Sequence, residues 1–176
     1  ENPILDGSSK FFVEALLKAE IIEQTANRQY FELDSTITYF DKAKKIELIA
    51  MPSDRFKLTT MIDFETKVLG TQNATLTDIK NFTDEISTCR TFVFLHELEY
   101  LLENNLIKGG DISNAIVYVN RIISEDELTR LAKHFKREDI KVLNEGILNN
   151  INLHFPNESA RHKLLDMVGD LSLIGT

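Results

Sequence analysis

The chain has 176 residues, enough for one well-buried domain or for parts of two. Hydrophobic residues at 43% and charged residues at 27% lie in the ordinary globular range, which excludes disorder, collagen and coiled coil. Twenty Lys and Arg against 28 Asp and Glu leave a net charge of −8, which argues against nucleic acid as a partner, because that binding is driven by cations displacing counterions.

Glu1-Asn2-Pro3-Ile4-Leu5-Asp6-Gly7-Ser8 reads as a loop delivering the chain into a helix, with Ser8 as its N-cap. Phe11, Phe12, Ala15, Leu16 and Ala19 recur at three- and four-residue spacing and predict an amphipathic helix over 9–20 with one buried stripe. So abrupt a start with a buried helix leads us to expect further residues upstream. From Arg28 the period changes to two. Tyr30–Leu33, Thr36–Phe40, Ile46–Ala50 and Phe56–Phe64 are expected as strands of an antiparallel meander, joined by short turns. A helix is expected over Thr75–Ser87.

Arg90–Phe94 reads as a strand, His96–Asn104 as a short helix, Gly109-Gly110 as a break, and Ala115–Val119 as a buried strand, together a compact βαβ unit. Ser124 ahead of Glu125, Asp126 and Glu127 opens a capped helix ending near residue 135. Residues 136–157 are polar and Asn-rich, with no legible purpose. A last helix runs from Glu158 to about Ile174. The expected fold class is α+β, an antiparallel-rich sheet with helices packed on one face plus a small βαβ insert.

The single cysteine, Cys89, excludes a disulfide framework and points to a reducing compartment or to indifference about redox state. No run approaches the ~18 apolar residues of a membrane span, and Glu1-Asn2-Pro3 does not open a signal peptide, so a cytoplasmic location is expected.

On the last helix His162, Asp166 and Asp170 recur every fourth residue and fall within about 80° of one another. An imidazole and carboxylates on one face suit a divalent cation of the zinc type. Spacing alone does not separate a ligand row from a solvated face, and His96, His134, His154 and Cys89 stand in no spacing that marks a third ligand.

Four blocks in order carry a resemblance: Glu1–Ser8, Cys89-Arg90-Thr91-Phe92-Val93-Phe94, Gly109-Gly110 ahead of Asn114–Val117, and Arg161-His162-Lys163-Leu164-Leu165-Asp166-Met167-Val168-Gly169-Asp170-Leu171. They resemble the UDP-3-O-acyl-N-acetylglucosamine deacetylases, zinc amidases of lipid A biosynthesis. The resemblance implies two similar α+β domains facing each other across the active site. Residues 1–26 would close the first, 27–176 would form most of the second, and about 92–119 would be its insert.

By that likeness His162 and Asp166 are two of three zinc ligands, Thr91 places its hydroxyl near the reacting oxygen, and Asp170 orients a histidine. Lys163 meets the nucleotide diphosphate, and Phe92, Phe94, Leu98, Leu101 and Gly110 lie along or near an acyl-chain passage. The third ligand and a glutamate general base belong to an upstream His-bearing motif that these residues do not contain, so the chain by itself is expected to be inactive. The implied substrate is a UDP-linked acylated amino sugar. The long connection from Val119 to Arg161 fits forms fused to a 3-hydroxyacyl carrier-protein dehydratase. Apolar surface that faces a missing domain would favour self-association. The alternative is a metal-free module that binds an acyl chain or a protein.

Overall fold

The computed structural model describes residues 3–27, 29–104 and 112–174. Among the described residues, five α-helices and six strands give the expected α+β class. The strands form two antiparallel hairpins and one parallel pair. The expected continuous meander is thus divided, because among the described residues β1 (Ile37–Asp41) pairs only with β2 (Ile46–Ala50), and β3 (Leu58–Asp63) only with β4 (Thr71–Leu76).

Helix α1 (Lys10–Lys18) buries no residue, and its expected inner stripe is open, with Phe11 and Leu16 exposed. Its N-cap is Ser9 rather than Ser8. Ser8 is instead buried beneath the helix start, its hydroxyl accepting from the Lys10 N–H at 3.2 Å. The β1–β2 hairpin is closed by Asp41, whose carboxylate accepts from the N–H groups of Ala43 and Lys44, yet both its faces are exposed. Tyr30–Leu33 forms no strand.

The centre of the molecule lies on the second hairpin. Leu58, Thr60 and Ile62 point inward and sit opposite Leu76, Ala74 and Gln72, so the period-two pattern presents one packed face. Residues 75 and 76, expected to begin a helix, instead finish β4. The helical part of that region shrinks to a 3-10 turn, Ile79–Asn81, capped by Asp78, and to α2 (Phe82–Glu85). Against the inner face of β3 and β4 packs α5 (Glu158–Ser172), through fully buried Ala160 and Leu164.

The expected βαβ unit forms. β5 (Phe92–Phe94) runs parallel to β6 (Ile116–Tyr118) in the register Phe92↔Ile116 and Phe94↔Tyr118, with α3 (Leu95–Glu103) following β5. Gly109 and Gly110 lie outside the described residues. The continuous apolar run of β6 is explained by burial on both faces. Ile116 and Tyr118 join the core under α5, while Val117 and Val119 join a second core with Leu95, Leu98 and Leu131. Leu131 comes from α4 (Glu125–His134), opened by the expected reciprocal cap: Ser124 Oγ accepts from the Glu127 N–H, and Glu127 accepts from the Ser124 N–H.

The 136–157 stretch completes this layer. Ile147 bridges Tyr118 antiparallel, the Leu148 N–H donates to the Val117 carbonyl at 3.0 Å, and both side chains are buried. Asn150 Nδ2 then ties the segment to the carbonyls of Ile112 and Ala115. Among the described residues no helix is long and apolar enough to cross a membrane.

Candidate metal centre

The site is built where the start of α5 meets the chain entering β5. Glu158, the first residue of α5, is buried against Arg90 in a bidentate pair: Oε1 accepts from Arg90 Nε at 2.9 Å and Oε2 from Nη2 at 3.2 Å. Oε1 also takes the Arg90 backbone N–H, and Oε2 the His154 backbone N–H. Burial alone would raise the carboxyl pKa. The Arg90 side-chain and backbone donors, with the His154 N–H, outweigh it and hold Glu158 below the usual carboxylate range.

One helical turn on, His162 is 8% exposed and its Nδ1 lies 3.0 Å from the Cys89 carbonyl oxygen. A carbonyl only accepts, so Nδ1 carries a proton, and in the neutral ring Nε2 keeps its lone pair. Nε2 faces Asp166 Oδ1 at 3.7 Å, while Asp166 Oδ2 accepts from Lys163 Nζ at 2.9 Å. The expected row therefore grades from buried His162 through half-buried Asp166 to exposed Asp170.

These residues fit a zinc ion in donor type and spacing. Neutral imidazole and carboxylate are ordinary zinc ligands, and bonds of about 2.0–2.1 Å at tetrahedral angles put two donors about 3.3 Å apart. The Nδ1–H held by a backbone carbonyl is the usual support of a metal-ligating histidine. Two ligands fall short of the three protein ligands of a catalytic zinc. Among the described residues no group of three His, Cys, Asp or Glu comes together. Cys89 is no substitute, because burial pushes its thiol up to about 12. His96 stacks on Phe94 on α3, and His134 and His154 are exposed elsewhere.

Thr91, half-buried, is held through its backbone on two sides. Its N–H donates to the Gly7 carbonyl at 3.0 Å, and its carbonyl accepts the Ile116 N–H at 2.8 Å. Gly7 has φ +78, and a Cβ there would stand 1.8 Å from the Asn114 carbonyl oxygen, so the Asp6–Ser8 loop packs tightly against the turn that precedes β6.

Lys163 Nζ also sits 5.6 Å above the Phe92 ring. Phe92 makes edge contacts with Phe64 and Tyr118, and Phe94 packs among the same rings. Beyond them Leu101, with Val93, His96, Glu97 and Tyr100, lines an open groove of about 510 Å³. Leu98 is not part of it. Its side chain is buried in the second core instead. Gly110 lies outside the described residues.

Pairing of Arg90 with Glu158 was not anticipated from sequence. The only advance sign was a Glu at the start of a helix, and its partner stands 68 residues away.

An α+β unit that sets one buried imidazole beside one half-buried carboxylate on adjacent helical turns is a domain with one composite polar site on α5. The family model described as UDP-3-O-acyl N-acetylglycosamine deacetylase matches residues 1–141 and 129–176, and the chain belongs to that family. The bifunctional enzyme LpxC/FabZ of Chlorobaculum tepidum is 45% identical over 178 residues, covering 99% of this chain and 38% of that protein. The corresponding bifunctional enzyme of Bacteroides thetaiotaomicron is 39% identical, with 99% and 38% covered. The UDP-3-O-acyl-N-acetylglucosamine deacetylase of Syntrophotalea carbinolica is 36% identical, with 99% of this chain and 48% of that protein covered. The chain thus spans about half or less of the length of these curated relatives.

Proposed function

We propose that this chain supplies the second-domain half of the active site of a zinc-dependent deacetylase that hydrolyses the acetamide of a UDP-linked 3-O-acylated N-acetylglucosamine, releasing acetate and the free amine. One observation carries the reading: His162 donates Nδ1–H to Cys89 and aims Nε2 at Asp166, on a chain of that family. His162 and Asp166 hold the metal, and the family's third ligand and general-base glutamate come from its upstream His-bearing motif. A zinc ion held there would supply Lewis-acid polarisation of the amide carbonyl and activation of the attacking water.

The chain's own residues do the rest. The Cys89 carbonyl fixes the His162 ring. Lys163 holds Asp166 Oδ2, leaving Oδ1 for the metal side, and presents its cation beside Phe92 to the diphosphate. Thr91 donates its hydroxyl to the carbonyl oxygen as charge develops there. Asp170, exposed at the next turn, orients the family's catalytic histidine. Leu101 lines the groove for the acyl chain, with Phe92 and Phe94 packed near it in the aromatic cluster behind. Residues 1–26 close the first domain and 27–176 belong to the second. The fused dehydratase form is supported by the bifunctional relatives. The cell compartment is the cytoplasm. Family membership disfavours the alternative of a metal-free binding module.

Two measurements test this. In the complete parent protein, acetate release from the acylated nucleotide sugar falls about 100-fold or more in Thr91→Val, the size expected for one lost oxyanion donor; unchanged release overturns the role of Thr91. For the present chain, sedimentation is expected to show association through the open apolar surface of α1 and the β1–β2 hairpin; a strict monomer with α1 protected from hydrogen exchange contradicts it.

A further inference from the structure

Three consecutive residues, Cys89, Arg90 and Thr91, each carry a different duty. The carbonyl of the first holds the His162 ring, the guanidinium of the second grips Glu158, and the third bears the hydroxyl of the proposed function. Glu158 lies one turn before His162 on the same face of α5. Its side chain is fully buried, and its two oxygens accept four hydrogen bonds, three from Arg90 and one from the His154 backbone. Arg90 Nη2 also reaches the Asn152 carbonyl. One carboxylate thereby joins three separate segments: the chain entering β5, the 152–154 turn and the start of α5.

A buried ion pair of this kind is weak as a source of stability, since well-packed apolar residues serve as well or better. What the pair does provide is a fixed distance. It clamps the residue after the Cys89 carbonyl to the helix that carries His162, with no slack in either chain.

We propose that Glu158, acting through Arg90, is a positioning residue for the metal centre, one that keeps the Cys89 carbonyl on His162 Nδ1 and so holds the imidazole in the tautomer whose Nε2 is free for the metal. The inference rests on His162 being the metal-side imidazole of the proposed function, but its test needs no metal. The ring nitrogens of His162 are observed by long-range proton–nitrogen NMR in the metal-free full chain at about pH 8, above the ordinary imidazole range.

The wild type shows one tautomer, protonated at Nδ1. In Glu158→Gln the amide NH₂ confronts groups that are themselves donors, and His162 moves to a mixture, both nitrogens shifting toward the averaged position. Arg90→Lys keeps the charge but cannot span both carboxylate oxygens and the Asn152 carbonyl; it shifts His162 in the same direction. Leu131→Val, in the core on the far side of β6, lowers stability without moving the tautomer. Retention of the Nδ1–H form in a folded Glu158→Gln or Arg90→Lys protein overturns the proposal. So does an equal shift in Leu131→Val, and so does loss of the fold in both site variants, which would make the pair a stability element alone. Failure of the zinc reading shows separately, as zinc retained by the parent protein after His162→Ala.

Discussion

The Cys89 carbonyl oxygen stands 3.0 Å from His162 Nδ1 across 73 residues of sequence. That contact fixes which nitrogen of the ring faces Asp166 in the middle of α5. It depends on backbone geometry at Cys89 and not on the cysteine side chain, whose thiol is buried and held neutral.

Gly7 holds the same 89–91 segment from another side, its carbonyl accepting the Thr91 N–H at 3.0 Å. An added Cβ would meet the Asn114 backbone oxygen at 1.8 Å in a left-handed conformation that L residues adopt at a cost. Gly7→Ala is expected to lose at least about 2 kcal/mol in chemical denaturation. Gly169→Ala, in open space within α5, is expected to gain about 0.5–1 kcal/mol in this chain. Equal effects at the two positions would contradict the packing of the 6–8 loop on Thr91.

Glu127 sets an acid limb of stability. The Ser124 backbone N–H, then the Arg121 side chain and the Ser124 hydroxyl, hold its carboxyl at about 2, against 4.5 ordinarily. With the folded value the lower one, the stabilisation is complete above about 4.5 and is lost as the pH falls toward about 2, because the unfolded chain takes up the proton first. Glu158 acts in the same direction. Unfolding free energy measured between about pH 6 and pH 3 should decline, and less steeply in Glu127→Gln. An identical slope in that variant would remove the cap from the account.

Leu98 and Leu101 separate packing from binding. Leu98→Ala opens a cavity in the second core and should cost about 2–5 kcal/mol. Leu101→Ala, on the groove, should cost under about 1 kcal/mol and instead change the acyl-chain preference of the parent protein. Unfolding curves and competition between acyl lengths report the two effects. A stability loss at Leu101 as large as at Leu98 would place both in the core.

Elements ruled by local chemistry were legible in the sequence: the Ser124–Glu127 cap, the alternation of 58–63, the apolar run of 116–118 and the His162–Asp166 spacing. β4 was not, because only Ala74 and Leu76 of its six residues are buried apolar groups; its partner β3 makes it a strand. The α1 stripe was read correctly as apolar, but burial belongs to what lies against a helix, and nothing among the described residues covers it. The Arg90–Glu158 pair and the pairing of Ile147 with Tyr118 are tertiary events that no spacing announces. At the site, helix periodicity put His162 and Asp166 on one face, while the Nδ1 contact of the imidazole is made by a carbonyl 73 residues away.

The central claim is that His162 and Asp166 are metal ligands of a deacetylase. The most direct test is zinc content, measured after dialysis of the complete parent protein beside its His162→Ala and Asp166→Ala variants. One zinc per wild-type chain and its loss from both folded variants is the predicted result. Full retention of zinc by either variant would contradict it.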